Sequence, residues 1–369
     1  MQILIFSHEY PPEVGGAGIV AQQFVHVLNE QKYDVCLLTR KKNKCKYNNI
    51  KIFAVLWSIQ IKGFWFFSSI IRLLFFNFKK YDRIVINDFP SSVVASFLFS
   101  KKTLSRSIFM WHGSEDKTIL DKTNWNGKFF RRRYIKAVQN SCKILAVSEF
   151  QKEKIIKGSG LEMVRNKTFV QYAGIDSNIF KMIDQQGIEK LSKELGLNKS
   201  DIPILSVGRI NRLKGYREMY EIFKRLPDHF HWIIIGDGEL KSWLSKQIEL
   251  EGKKNIHLIG KVERKHINNY YNLAKLFFLF SHKEWQEAFG LVYIEAALAG
   301  TPVLARKKEF DGTNEAVKDI GWLLDSDDDA YRFLLEGEYL NVNRKEISKK
   351  AANYSLDNLK SKIINNICN

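Results

Sequence analysis

Cysteine is scarce and scattered in this chain. Cys36, Cys45, Cys142 and Cys368 share no CxxC spacing and do not cluster with histidine. That argues against a disulfide framework or a zinc site and fits a reducing cytoplasm. Long apolar runs are missing too. The nearest approach to the roughly 18–20 clean apolar residues of a spanning helix is GFWFFSSIIRLLFFNFKK (Gly63–Lys80), which carries Arg72 in its middle. No secretory signal is expected, because MQILIFSHEYPPEVGG has no basic start and only a short apolar run. Acidic side chains fall short of basic ones, 40 Asp and Glu against 58 Lys and Arg, a formal net charge of +18. Such an excess draws anionic partners: nucleic acid, anionic lipid surfaces or phosphorylated small molecules. No helix-turn-helix or RNP motif is present, so nucleic acid is not an expected partner.

What is there is a repeated alternation. The chain has 369 residues, 45% of them hydrophobic, enough for two domains that each bury a sizeable core. ILIFS (Ile3–Ser7) is a short apolar run that stops at a Pro/Gly-rich segment, and AGIVAQQFVHVLNE then has apolar residues at helical spacing. DVCLLT, RIVIND, SIFMWH and KILAVS read as further buried strands separated by helices. After a polar stretch near Lys181–Lys199 the pattern restarts with PILSVG, HWIIIGDG, NIHLIG, KLFFLFS and TPVLA. Continuous apolar strands alternating with helices indicate an α/β architecture of doubly wound parallel sheets. The expected boundary lies near residues 175–200, and the final segment reads as one or two helices. In open α/β sheets ligands bind at the carboxyl ends of strands, so the loops there hold the candidate chemistry.

Four such loops matter. In EWQEAFGLVYIEAALAGTPVLA (Glu284–Ala305) two carboxylates interrupt an apolar run, and burying an ionised carboxylate is costly unless it is paired. Gly300 and Pro302 mark a helix end, which puts the helix start near Phe289–Gly290, Glu287 just before it and Glu295 about one turn inside. Amides at that terminus could donate to an anion or to sugar hydroxyls while the carboxylates accept. Spacing alone equally allows an exposed cap at Glu287 and a solvated position at Glu295. GRINRLKG (Gly208–Gly215) sets Arg209 and Lys214 after a strand, which suits a diphosphate or is simply a solvated basic loop. PPEVGGAG (Pro11–Gly18) brings Gly15 and Gly16 to a helix start, allowing close backbone approach. It is neither GxGxxG nor a Walker loop, which disfavours an NAD(P)-dependent oxidoreductase. WHGSE (Trp111–Glu115) puts His112 at a strand end, as a structural or a functional residue.

Taken together, GGAG, HGSE, VSEF, YAGID, VGRINRLKG, IIGDGE and the E-x7-E segment EAFGLVYIE resemble, in order and spacing, the retaining GT-B glycosyltransferases of family 4. The resemblance covers nearly the whole chain. It implies two Rossmann-like domains facing across a cleft: an acceptor-binding domain over 1–178, a nucleotide-sugar domain over 179–350, and a terminal helix in 351–369 packing back on the first. It implies that Glu287 holds donor-sugar hydroxyls, helped by amides at Phe289 and Gly290 with Ala288 and Leu291 beside them, and that Glu295 bonds the ribose. Arg209 and Lys214 would neutralise the diphosphate as the glycosidic bond breaks. Gly15 and Gly16 would approach the diphosphate and acceptor, His112 would lie by the sugar, and Val262 near the base. No cofactor and no metal are expected beyond a UDP- or GDP-linked sugar as co-substrate. Two segments depart from the family pattern: Ala173 stands where Asn is frequent, and FDGTNE (Phe310–Glu315) replaces GGxxE, which leaves Gly312, Thr313 and Asn314 as open contacts. A nucleotide-sugar 2-epimerase of the same fold is the nearest rival, disfavoured by the E-x7-E context and the GGAG loop.

The aromatic and cationic segments Gly63–Asp82 and Asn126–Val138, the latter with Arg131, Arg132 and Arg133 in a row, suggest contact with an anionic membrane. A buried helix over Phe64–Phe78 is the alternative. With membrane contact the acceptor would be a saccharide or lipid-linked saccharide of surface polysaccharide or lipopolysaccharide synthesis. The place of work would be the inner face of the cytoplasmic membrane.

Overall fold

A computed structural model describes residues 1–11, 16–40, 50–54, 70–71, 73–113 and 125–369. Two compact units emerge from its contacts: Met1–Gly174 together with Leu359–Asn369, and Ile175–Asn358.

The first unit is built on a parallel sheet of seven strands. They are β1 (Gln2–Phe6), β2 (Asp34–Thr39), β3 (Lys51–Ala54), β4 (Arg83–Ile86), β5 (Ser107–Trp111), β6 (Lys143–Ala146) and β7 (Thr168–Val170), in the spatial order β3-β2-β1-β4-β5-β6-β7. Parallel strands need crossovers, and these are helices such as Gly16–Glu30, Phe89–Leu98 and Trp125–Asn140. The strands are apolar on both faces because helices cover both: Leu4, Ile84, Phe109 and Ile144 are buried with Val94, Tyr134 and Val138 from the helices. Capping side chains mark the helix starts. Asp88 accepts from the Ser91 N–H (3.0 Å) and Ser148 from the Gln151 N–H (3.0 Å). The last helix, Leu356–Cys368, contributes its residues from Leu359 onward to this unit. Lys360 pairs with Glu30 at 2.9 Å, and Asn366 donates to Gln171 at 2.8 Å.

The second unit repeats the plan with six strands: β8 (Ile202–Val207), β9 (Phe230–Ile235), β10 (Ile256–Gly260), β11 (Leu276–Leu279), β12 (Val303–Arg306) and β13 (Gly321–Leu324), ordered β10-β9-β8-β11-β12-β13. Its core is aromatic. Trp232 stacks on Phe223 at 4.6 Å and on Tyr216 at 6.2 Å, joining a strand to the helix Tyr216–Arg225.

Three strands, β3, β7 and β13, have no counterpart among the apolar runs read from the sequence. All three are sheet edges. The fourth edge, β10, was read from its sequence, so edge position alone does not hide a strand; β7 alternates buried and exposed, and every residue of β13 is half-buried. Cys36, Cys142 and Cys368 are free thiols. Among the described residues no helix is long and apolar enough to cross a membrane.

Candidate active site

In each sheet the strand order reverses direction once, between β1 and β4 in the first and between β8 and β11 in the second. Such a switch point leaves a crevice at the strands' carboxyl ends.

In the second unit the two loops at that crevice are locked together by backbone. After β8 the chain makes a single turn, Arg212–Lys214, in which Asn211 accepts from the Lys214 N–H at 3.0 Å. The turn closes at Gly215, with φ +73°, where a Cβ would run into the carbonyl of Phe280 just past β11. Only glycine satisfies both conditions. The carbonyl of Ser281 accepts from Nε of Arg306 at 3.0 Å. Arg306 is fully buried, its guanidinium lying over the Phe280 ring at 3.9 Å and pairing with Asp327. The loop that follows ends at Gly290 (φ +92°), and the helix runs Leu291–Leu298, one or two residues later than the sequence suggested.

These loops bring Lys214 and Glu287 into an ion pair. Glu287 Oε1 also accepts from the indole N–H of Trp285 at 3.0 Å. Its main chain is clamped on both sides: the Glu287 N–H donates to Asp311 at 2.9 Å, and its carbonyl accepts from the Gly312 N–H at 3.0 Å. Beneath lies the buried pair Lys308–Asp311 (3.5 Å), with the Lys308 amine also donating to the Trp285 carbonyl at 2.6 Å. Glu287 is therefore a fixed, half-buried carboxylate and not an exposed cap. Burial lowers the Lys214 amine to about 8, with Lys308 and Arg209 pushing in the same sense and Asp311 against them. Arg209 is exposed on the same loop. Three cations thus stand against two carboxylates, an arrangement that attracts an anion.

Glu295 is separate. It is 4% exposed and accepts from Arg264 at 2.6 Å and from the Tyr271 hydroxyl at 3.1 Å. Burial raises its pKa, and Arg264 and Tyr271 oppose that. The solvated alternative for Glu295 is excluded, and its pairing is what permits a charge in the apolar run. Val262 follows β10 in a half-exposed loop, and Ala288 and Leu291 flank the buried Phe289. Within FDGTNE, Asp311 turns out to be the working residue. It caps the helix Gly312–Val317 through the Thr313 N–H (2.7 Å) while holding Glu287, and Asn314 bonds the Lys308 main chain. Asp311, Lys308, Trp285, Arg264 and Tyr271 are all absent from the sequence-based set. Asp311 lies in the FDGTNE segment, but nothing in the sequence singled it out; its place before the helix Gly312–Val317 is seen only in the fold.

The first unit's switch point is built differently. Asn87, after β4, donates to Ser7 Oγ at 2.9 Å and to the Ala17 carbonyl at 2.8 Å, so its Oδ1 is left as the acceptor for Nε2 of His112 at 3.4 Å. Asp88 accepts from the Glu9 N–H at 2.7 Å and from Ser7 Oγ at 3.2 Å. Burial brings His112 down to about 4 against the pull of Asp88, so its ring is neutral with the proton on Nε2. Burial and Asp88 raise Glu9, while the Gly18 N–H, in the first turn of the helix from Gly16, holds its carboxylate. Gly16 has open space where a Cβ would stand. Gly15 and Glu115 lie outside the described residues.

Comparison with known proteins agrees with this arrangement. Residues 14–178 match the family model Glycosyltransferase Family 4, and 187–351 match Glycosyl transferases group 1. The 2-deoxystreptamine N-acetyl-D-glucosaminyltransferase of Niallia circulans is 25% identical over 73% of this chain and 72% of its own. The alpha-monoglucosyldiacylglycerol synthase of Acholeplasma laidlawii is 27% identical over 83% and 80%. Among solved structures, Anabaena HepE in complex with UDP and glucose superposes with a TM-score of 0.77 at 18% identity, covering 99% of this chain and 98% of that one. WaaG, a glycosyltransferase involved in lipopolysaccharide biosynthesis, gives 0.74 at 15%, covering 99% of each. With its two parallel sheets and both family halves in order, this chain belongs to the GT-B glycosyltransferases of family 4.

Proposed function

We propose that this enzyme moves a sugar from a nucleotide-diphosphate sugar to a saccharide or lipid-linked acceptor, with retention of configuration. The observation that carries the reading is the Lys214–Glu287 pair beside Arg209 at the second sheet's switch point. A diphosphate entering there meets two cations, and its counter-charge favours the ammonium form of Lys214 that burial disfavours. Glu287, held rigidly by Asp311 and Gly312, accepts from sugar hydroxyls. Glu295, oriented by Arg264 and Tyr271, accepts from the ribose.

As the anomeric carbon–oxygen bond breaks, negative charge grows on the leaving phosphate, where Arg209 and Lys214 stabilise it. The acceptor oxygen attacks from the same face, and its proton passes to that phosphate. His112, neutral, offers a hydrogen bond and no charge. We expect this chemistry to proceed without a metal, so activity survives EDTA. That HepE binds UDP and glucose supports a UDP-linked donor, and the name of the glycolipid synthase relative supports a lipid-linked acceptor. Exposed Ile71, Leu74 and Phe75 (63%, 64% and 90%), with Lys79 and Lys80 close in sequence, support peripheral contact with an anionic cytoplasmic membrane surface.

A donor-hydrolysis screen over UDP-, GDP- and ADP-sugars tests the reading. One donor should turn over, and Glu287→Ala and Arg209→Ala should each suppress it. Turnover of no donor, together with unchanged ligand binding in both variants, overturns the assignment.

A further inference from the structure

The first unit holds a charged cavity, away from the switch-point network of its own sheet. It measures about 740 Å³ and opens between the helices Phe89–Leu98 and Trp125–Asn140. Among the described residues four cations line it, Lys101, Arg132, Arg133 and Lys136, and no carboxylate does. On the longer helix Arg132, Lys136 and Asn140 recur every four residues, which stacks them along one face. Apart from Ser96, the groove's other lining is apolar: Phe97, Phe99, Leu104 and Ala137. Phe99 and Leu104 are buried at 8% and 5% exposure, and the Phe97 ring carries the guanidinium of Arg133 at 4.8 Å.

Two features narrow what fits. Lys101, Arg132 and Lys136 together on one rim call for an anion, and phosphate oxygens match Arg and Lys donors best. An apolar floor below that rim calls for carbon attached to the anion. The floor is also continuous with the exposed apolar patch: Phe99 packs on Phe78 (4.6 Å), Phe78 on Phe76 (4.8 Å) and Phe76 on Phe53 (5.3 Å), with Leu74 and Phe75 exposed beside Phe76 in the chain.

We infer that this groove is a headgroup site for a phosphate-bearing membrane lipid, in which Lys101, Arg132 and Lys136 take the phosphate and the Phe97–Phe99 wall takes the carbon next to it. The inference deepens the membrane-contact reading above and is independent of the donor site, which lies in the other unit. It gives the basic surface one address in place of a diffuse charge.

The test uses the full chain with vesicles of phosphatidylcholine alone or mixed with phosphatidylglycerol. The unaltered protein should bind the mixed vesicles and leave the neutral ones. Arg132→Gln with Lys136→Gln should weaken that binding about thirtyfold, while donor hydrolysis, assayed without lipid, stays intact and reports correct folding. Lys345→Gln with Lys349→Gln, equal in charge but exposed on the helix Arg344–Ala351 of the other unit, should change it less than twofold. Equal losses in the two double variants, or no loss in the first, overturn the groove while leaving membrane contact standing. Failure of the unaltered protein to bind either vesicle overturns both. Tryptophan-fluorescence titration with glycerol 3-phosphate separates the sources of phosphate: binding of this ester without vesicle binding assigns the groove to a soluble phosphate ester and overturns the lipid.

Discussion

The two sheets share a strand order around their switch points, yet the described side chains there are arranged differently. At β1 and β4 the polar groups satisfy one another: Ser7, Asn87 and Asp88 form a closed hydrogen-bonded set with a neutral His112 and a carboxylate, Glu9, bound to a helix amide. At β8 and β11 the named cations, Arg209, Lys214 and Lys308, outnumber the carboxylates Glu287 and Asp311, and burial lowers the Lys214 amine to about 8. A repeated architecture thus gives two crevices that differ in their loop side chains, and the proposed function puts the diphosphate at the second. Topology locates a site; it does not assign the chemistry.

The contrast can be broken in a graded way. The largest effect is expected from Glu287→Ala, which removes the sugar-facing carboxylate and leaves Lys214 without its partner; transfer should fall by about two to three orders of magnitude, read as kcat/KM. Next comes Gly215→Ala. The added Cβ meets the Phe280 carbonyl at a positive φ, so the two loops separate, and unfolding in urea should report a loss of about 1–3 kcal/mol.

A smaller effect is pH-dependent. A diphosphate favours protonated Lys214, which is present below about 8 and lost above it, so the Kd for UDP should rise as pH passes 8. Lys214→Arg should flatten that rise. The smallest effect lies in the first unit. With His112 near 4, kcat/KM should show no histidine inflection between pH 5.5 and 7.5, and His112→Asn should leave the profile's shape unchanged.

Much of this could be read from residues alone. The central strands announced themselves because they are buried on both faces, as β4, β5 and β11 are. Three of the four edges, β3, β7 and β13, did not: they are only four, three and four residues long, and β7 alternates buried and exposed. At the site, Arg209, Lys214, Glu287 and Glu295 stood out by charge and by position at strand ends. Their supports did not. Arg264 lies 31 residues from the carboxylate it holds and Asp311 lies 24 from Glu287, separations along the chain that only the folded sheet closes. Nor could spacing distinguish a solvated Glu295 from a buried one; that follows from the Tyr271 hydroxyl and the Arg264 guanidinium meeting it.

The most direct measurement is calorimetric titration of UDP into the unaltered enzyme, Arg209→Ala and Lys214→Ala at pH 7, with each variant's folding verified by circular dichroism. If the second unit's cationic crevice holds the donor diphosphate, each substitution should raise the Kd at least tenfold, an effect in line with losing one charge-assisted contact. Two folded variants that bind UDP as tightly as the unaltered enzyme would contradict it.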